Sequence, residues 1–167
     1  MKITRTTAIP LSYRLPEGST VRLGIGATSK RDTIIVRVET DAGLTGYGEA
    51  HPGRSPGAVV SLINSTLHPM IAGMDACDVV GVFARVNRMQ LSSHGLGAAA
   101  ALAVSGIDMA LWDVRGKAAN MPLYQMLGGS RKRVPAYAGG ISMGFQAPAG
   151  LVDEAREYVA RGYRAVK

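Results

Sequence analysis

Along this chain of 167 residues the spacing of hydrophobic and polar positions changes twice. From Thr4 to Tyr13, Ile9 and Leu11 sit among polar neighbours and Pro10 suits an edge strand. Leu15 to Thr28 is rich in glycine and serine, and Pro16-Glu17-Gly18 marks a turn, so this stretch reads as a long loop. Thr33 to Thr40 is dense in β-branched residues and predicts a strand. Asp41-Ala42-Gly43 reverses the chain, and Leu44 to Ala50 returns as the hairpin partner. The first third is therefore a small antiparallel meander.

From Ser55 the period becomes helical. Val59, Leu62, Ile63, Leu67 and Met70 describe one apolar face. Asp75 is placed to cap a second helix that carries Val79, Val82, Phe83, Val86 and Met89. A third helix, Gly97 to Ala119, opens on four alanines, and its many small residues suit burial on several sides. Within it Asp113 and Lys117 are spaced for an acid-first ion pair. Pro122 starts a short turn that Gly128-Gly129 closes. Val134 to Ala138 then reads as a strand, Leu151 to Arg161 as a helix with Leu151, Val152, Ala155, Tyr158 and Val159 inward, and Arg164 to Lys167 as a further strand. Strand, helix, strand at this spacing is a parallel βαβ unit. Because the chain stops inside a strand, it reads as a fragment.

Composition narrows the class. With 47% hydrophobic and 19% charged residues the chain can bury a core. No apolar run is long enough to span a membrane and no signal peptide is evident. The lone Cys77 cannot form an internal disulfide, reads as a small buried hydrophobe, and favours a cytoplasmic location. The net charge of +7 is spread along the chain, with one cluster at Arg131-Lys132-Arg133, and aromatics are only 5%, which argues against nucleic-acid binding. Gly24-Ile25-Gly26 lacks the third glycine and strand-to-helix setting of a dinucleotide site. The three histidines are too dispersed for metal-ligand spacing.

The run Ala103-Val104-Ser105-Gly106-Ile107-Asp108-Met109-Ala110-Leu111-Trp112-Asp113-Val114-Arg115-Gly116-Lys117, followed by Pro122-Leu123 and Leu127-Gly128-Gly129, resembles a signature of the enolase superfamily, in its mandelate racemase and muconate-lactonizing branch. Asp41 to Glu49 and Gly162 to Lys167 resemble that branch too. The resemblance implies an α+β capping domain over about residues 1–125, a three-stranded meander followed by a helical bundle, leading at 126–167 into the incomplete start of a (β/α) TIM-like barrel. It implies a Mg2+-dependent lyase or isomerase that removes the proton alpha to a carboxylate through a metal-stabilised ene-diolate. Acid-sugar dehydration is the first expectation, racemisation, epimerisation or cycloisomerisation the second.

By that resemblance Lys167 is the first lysine of a Lys-x-Lys pair, whose usual base lies beyond the last residue; the magnesium carboxylates would lie there as well. The fragment itself should then be inactive and hold no metal. Substrate contacts are expected from the capping loops, at Arg22, Gly24, His51 and Arg54. Arg22 is the residue best suited to pairing a carboxylate. Bland readings stand beside these: His51 as part of a surface turn, His68 as a helix C-terminal cap, His94, Asp108, Asp113 and Trp112 as structural. The expected partners are a small carboxylic acid and further copies of the chain, with neither nucleic acid nor membrane. The alternative is a free-standing, non-catalytic cap that binds a partner barrel.

Overall fold

The computed structural model describes residues 1–17, 21–23, 26–91, 97–129, 133–139 and 146–167. They form two compact units, Met1–Ser12 with Asp32–Gly129 and Tyr13–Arg31 with Ser130–Lys167. The chain runs through strands β1 (Ile3–Arg14), β2 (Val21–Leu23), β3 (Gly26–Thr28), β4 (Lys30–Thr40) and β5 (Thr45–Ala50). Helices α1 (Pro56–Ser61), α2 (His68–Ile71), α3 (Val79–Val86), α4 (Ala98–Ala118), α5 (Leu123–Met126) and α6 (Pro148–Ala160) follow.

The expected meander is present as a three-stranded sheet in the order β1-β4-β5. In β4 every second residue, Ile34, Val36 and Val38, is fully buried, and β5 pairs antiparallel with it from Ile34↔Ala50 to Glu39↔Thr45. The turn closes through Thr40 N–H to Leu44 O, with Gly43 at φ 78°. The Leu15 to Thr28 stretch is not a plain loop: β2 and β3 pair antiparallel within it, Arg22 opposite Ala27. Strands of three residues carry too little alternation to be read from sequence.

β1 changes phase along its length. Lys2 O accepts from Asp41 N–H, whereas Leu15 N–H donates to Ser29 O, a pairing one residue out of step with the first. The buried residues shift likewise, from Ile3 to Thr6 and Ala8. One extra residue, a β-bulge near Thr4-Arg5, accounts for both. Helical side chains then meet the strand's outer edge. Asn64 accepts from Ala8 N–H at 2.8 Å and donates to Ala8 O, while His68 Nδ1 accepts from Thr6 N–H at 3.2 Å. His68 is thus an edge clamp rather than a dipole cap.

The first predicted helix exists as α1, a π-helical stretch Leu62–Leu67, and α2. Val59, Ile63, Leu67 and Ile71 are buried at a constant spacing of four, which the wider π turn accommodates. Leu62 and Met70 pack only partly against this core. The second helix is capped by Asp78, not Asp75: the Asp78 carboxylate accepts from Gly81 N–H at 2.9 Å, and a side chain at Gly81 would collide with it. Val79, Val82 and Val86 face inward as expected, but Phe83 and Met89 are largely exposed. Cys77 is only half-buried, since the neighbouring Ala76 takes the core position.

Helix α4 is the spine of the first unit. Ala103, Gly106, Ile107, Ala110, Leu111 and Val114 are buried along it. Its backbone lies directly on β5: a Cβ on Gly48 would come within 2.2 Å of Gly106 O, and one on Gly46 within 2.1 Å of Ala110 O. Asp113 fastens the same contact, accepting from Tyr47 N–H at 2.8 Å and from Lys117 Nζ at 2.7 Å, while Lys117 also donates to Thr45 O. The predicted pair is therefore part of a helix-to-strand bracket.

In the second unit, among the described residues, Val134 to Ala138 and Arg164 to Lys167 meet through a single parallel bridge, Ala138↔Val166. The orientation fits a βαβ unit, but Val134 and Val166 are exposed, whereas a parallel ladder ordinarily has both faces covered. In α6, Leu151, Ala155 and Tyr158 are half-buried, whereas Val152 and Val159 point to solvent.

Candidate functional site

The candidate contacts divide between the two units. His51 and Arg54 belong to the first. There β5 ends at Ala50 and the chain turns through Pro52-Gly53-Arg54, with Gly53 at φ 57° and Arg54 at φ 64°. His51 Nδ1 accepts from Gly53 N–H at 3.0 Å, so the imidazole holds its own turn. A side chain at Gly53 would strike Leu102 of α4, which ties this turn to the signature helix. Arg54 is exposed beside it.

Arg22 and Lys167 belong to the second unit. The Arg22 backbone sits in β2 opposite Ala27. Gly24, His94, Arg131 and Lys132 lie outside the described residues. Lys167 N–H donates to Ala138 O at 2.9 Å, which fixes its backbone next to the parallel bridge, and its side chain is exposed.

The two carboxylates of the signature helix have separate structural tasks. Asp113 belongs to the bracket described above. Asp108 lies on the rim of an apolar crease formed by Val82, Phe83 and Val86 of α3 with Val104, Ile107 and Leu111 of α4. Loss of hydration there raises its pKa above 3.8, opposed by a hydrogen bond with Trp112. Trp112 is half-buried, and the Arg115 guanidinium lies 5.2 Å from its ring centre.

The sign of the Asp108 effect follows by linkage. Between 3.8 and the higher folded value the folded chain holds more proton than the unfolded one, so this carboxyl's contribution to stability falls as pH rises through that window. Thermal melts of wild type and Asp108→Asn should therefore differ increasingly as pH climbs above 3.8, to the relative disadvantage of wild type. A difference that stays constant with pH would remove Asp108 as the source. Asp75 works in the opposite sense: the Cys77 N–H bond and the N-terminal ammonium lower its pKa, so its stabilisation is lost as pH falls below 3.8.

Sequence reading missed the polar groove along the outer edge of β1, lined by Thr4, Arg5, Thr6, Thr7, Asn64 and His68. Thr6 is 3% exposed and its hydroxyl has no hydrogen-bond partner among the described residues. The bulge and the helical clamps that shape this groove leave no local pattern in the chain. Among the described residues no group of three or more His, Cys, Asp or Glu side chains is placed to hold a metal ion. Among them, too, no helix is long and apolar enough to cross a membrane.

Comparison with known proteins places this geometry among relatives. Residues 7–128 match the family described as mandelate racemase / muconate lactonizing enzyme, N-terminal domain. A D-galactonate dehydratase family member of Paenibacillus sp. (strain JDR-2) is 38% identical over 138 residues, covering 80% of this chain and 32% of that protein. The D-gluconate dehydratase of Thermoproteus tenax is 39% identical over 137 residues, covering 81% and 27%. Among solved structures, a member of the enolase superfamily from Polaromonas sp. JS666 superposes with a TM-score of 0.92 at 69% identity, over 99% of this chain and 43% of that one. A protein of the mandelate racemase/muconate-lactonizing type from Roseovarius nubinhibens ISM, complexed with magnesium, superposes at 0.76 and 28% identity, over 99% and 43%. The chain spans about a third of the length of the curated relatives.

Proposed function

Since the chain belongs to the mandelate racemase/muconate-lactonizing family of the enolase superfamily, we propose that it is the N-terminal part of an enzyme that removes the proton alpha to the carboxylate of an acid sugar. The family match over residues 7–128 carries this reading, and the acid-sugar dehydratases among the relatives point to dehydration first, with racemisation or cycloisomerisation second. Residues 1–125 would be the capping domain and 126–167 the start of the barrel.

A carbon acid alpha to a carboxylate is weak, so the chemistry needs strong stabilisation of the charge that develops on deprotonation. Magnesium dependence is part of the proposal and is supported by the magnesium-bound relative. The described residues do not fit such a site, because they offer no cluster of acidic or imidazole ligands. The ion would be held by other residues of a longer protein.

The tasks left to this chain are to bind and to exclude water. Arg22 on β2 would pair the substrate carboxylate, with Gly24, His51 and Arg54 adding contacts as the capping loops close. Lys167 would stand next to the base as the first lysine of a pair, where like charge lowers the amine pKa of its neighbour. The protein would act in the cytoplasm as a homo-oligomer.

The test is exchange of the alpha proton with deuterium in heavy water, across a panel of acid sugars with magnesium. A protein of the relatives' length that contains this chain should exchange and dehydrate at least one of them, and the 167-residue chain alone should do neither. Exchange by the short chain would overturn the division of labour, and silence of the long protein across the panel would overturn the chemistry.

A further inference from the structure

The groove along the outer edge of β1 is lined by Thr4, Arg5, Thr6, Thr7, Asn64 and His68, none of which carries negative charge. Its internal hydrogen bonds leave donors to spare. Arg5 Nε donates to Thr7 Oγ1 at 3.3 Å, which leaves both Nη groups, and Arg5 has no carboxylate partner among the described residues. Because the Thr7 oxygen already accepts, its own O–H remains to donate. His68 Nδ1 accepts from Thr6 N–H at 3.2 Å, so the neutral ring carries its proton on Nε2. Thr6 is buried at the floor of the groove, and its hydroxyl is without a partner among the described residues. A buried hydroxyl in that state costs stability until something pairs with it.

These groups select the ligand. A cation would face the Arg5 guanidinium with no lining carboxylate to hold it. A nucleobase would find no Phe, Tyr or Trp among the lining residues to stack on. An added strand is refused, because His68 and Asn64 already hold the backbone N–H groups of Thr6 and Ala8. An anion with several acceptor oxygens suits the donors that remain. A phosphate group offers three strong acceptors, and a guanidinium flanked by hydroxyl and imidazole donors matches it. The groove measures about 460 Å³, within the range of about 300–1,000 Å³ for small-molecule sites, so more than a bare ion fits.

We propose that this groove binds a phosphate group, free or carried by a small metabolite, through Arg5, Thr7 and His68 with the Thr6 hydroxyl beneath. It lies in the first unit, at the opposite edge of the β1-β4-β5 sheet from β5, which leads into the His51 turn. The choice of ligand rests on the donors of the groove and not on the alpha-proton chemistry.

The probes are inorganic phosphate, glycerol 3-phosphate and acetate, titrated calorimetrically against the 167-residue chain at constant ionic strength. Both phosphates should bind at a single site and more tightly than acetate. Tighter binding of glycerol 3-phosphate supports a phosphate ester as the ligand, and equal binding supports free phosphate. Arg5→Gln should weaken phosphate about tenfold, whereas Arg85→Gln, at an exposed position of the same unit, should change it less than about twofold. Thr6→Val should weaken it about fivefold, yet raise the melting temperature of the anion-free protein by removing the unpaired hydroxyl. Thr6→Ser, which keeps the hydroxyl, should bind like wild type. Circular dichroism checks that each variant folds, and the exposed Arg5 decides the matter even where Thr6→Val does not. Acetate bound as tightly as phosphate, or equal effects of Arg5→Gln and Arg85→Gln, would overturn the proposal. So would a Thr6→Val protein that binds phosphate unchanged.

Discussion

Gly48→Ala should destabilise the first unit by about 3 kcal/mol, a large cost for adding one methyl group. The new Cβ would stand 2.2 Å from Gly106 O and 2.7 Å from Ala110 N, both backbone atoms of α4, so no side chain can rotate away. Relief requires the helix to move off β5, which opens the row of Ala103, Ile107, Ala110 and Leu111 beneath it. Gly57→Ala is the control. It lies in α1 with nothing within 4 Å of its Cβ position, and helix propensity favours the alanine by up to about 1 kcal/mol. Urea unfolding of both variants checks the expectation, and a Gly48 variant as stable as wild type would mean that α4 and β5 do not approach so closely.

Asn64→Ala should cost about 2 kcal/mol or more, although alanine is the better helix former. The side chain satisfies both backbone groups of Ala8, a residue that is 4% exposed, so truncation strands a donor and an acceptor together. Asn64→Asp keeps the acceptor for Ala8 N–H but sets a carboxylate against Ala8 O, and should fall between wild type and the alanine variant. Denaturation midpoints rank the three. Indistinguishable midpoints would show that water replaces the amide at this edge without loss.

Much of the first unit was legible because its signals are local. Alternation through Ile34, Val36 and Val38, a turn with glycine at the left-handed position, and small residues along α4 each specify one element. The places where reading failed depend on something distant or unpatterned. Asp75 and Asp78 both precede the apolar run of α3, and the deciding feature is the absence of a side chain at Gly81. Phe83 fits the helical stripe, yet it stands at the open lip of the crease above Asp108. The β2–β3 hairpin is hidden because each of its strands is only three residues long.

The candidate site was legible only through resemblance. From sequence His51 reads as a turn residue or a substrate contact, and its bond from Gly53 N–H is one made within the turn. That Tyr13–Arg31 and Ser130–Lys167 belong to one body has no local signal in the chain, because the two segments are far apart in sequence.

The clamps on β1 also bear on how the protein meets other molecules of its own kind. A bare outer strand is a template on which a neighbouring chain can add, residue by residue, toward an extended aggregate. At Thr6 and Ala8 that template is already read by His68 and Asn64, and the bulge near Thr4 throws the remaining groups out of register. Two polar side chains on a helix thereby keep a sheet finite.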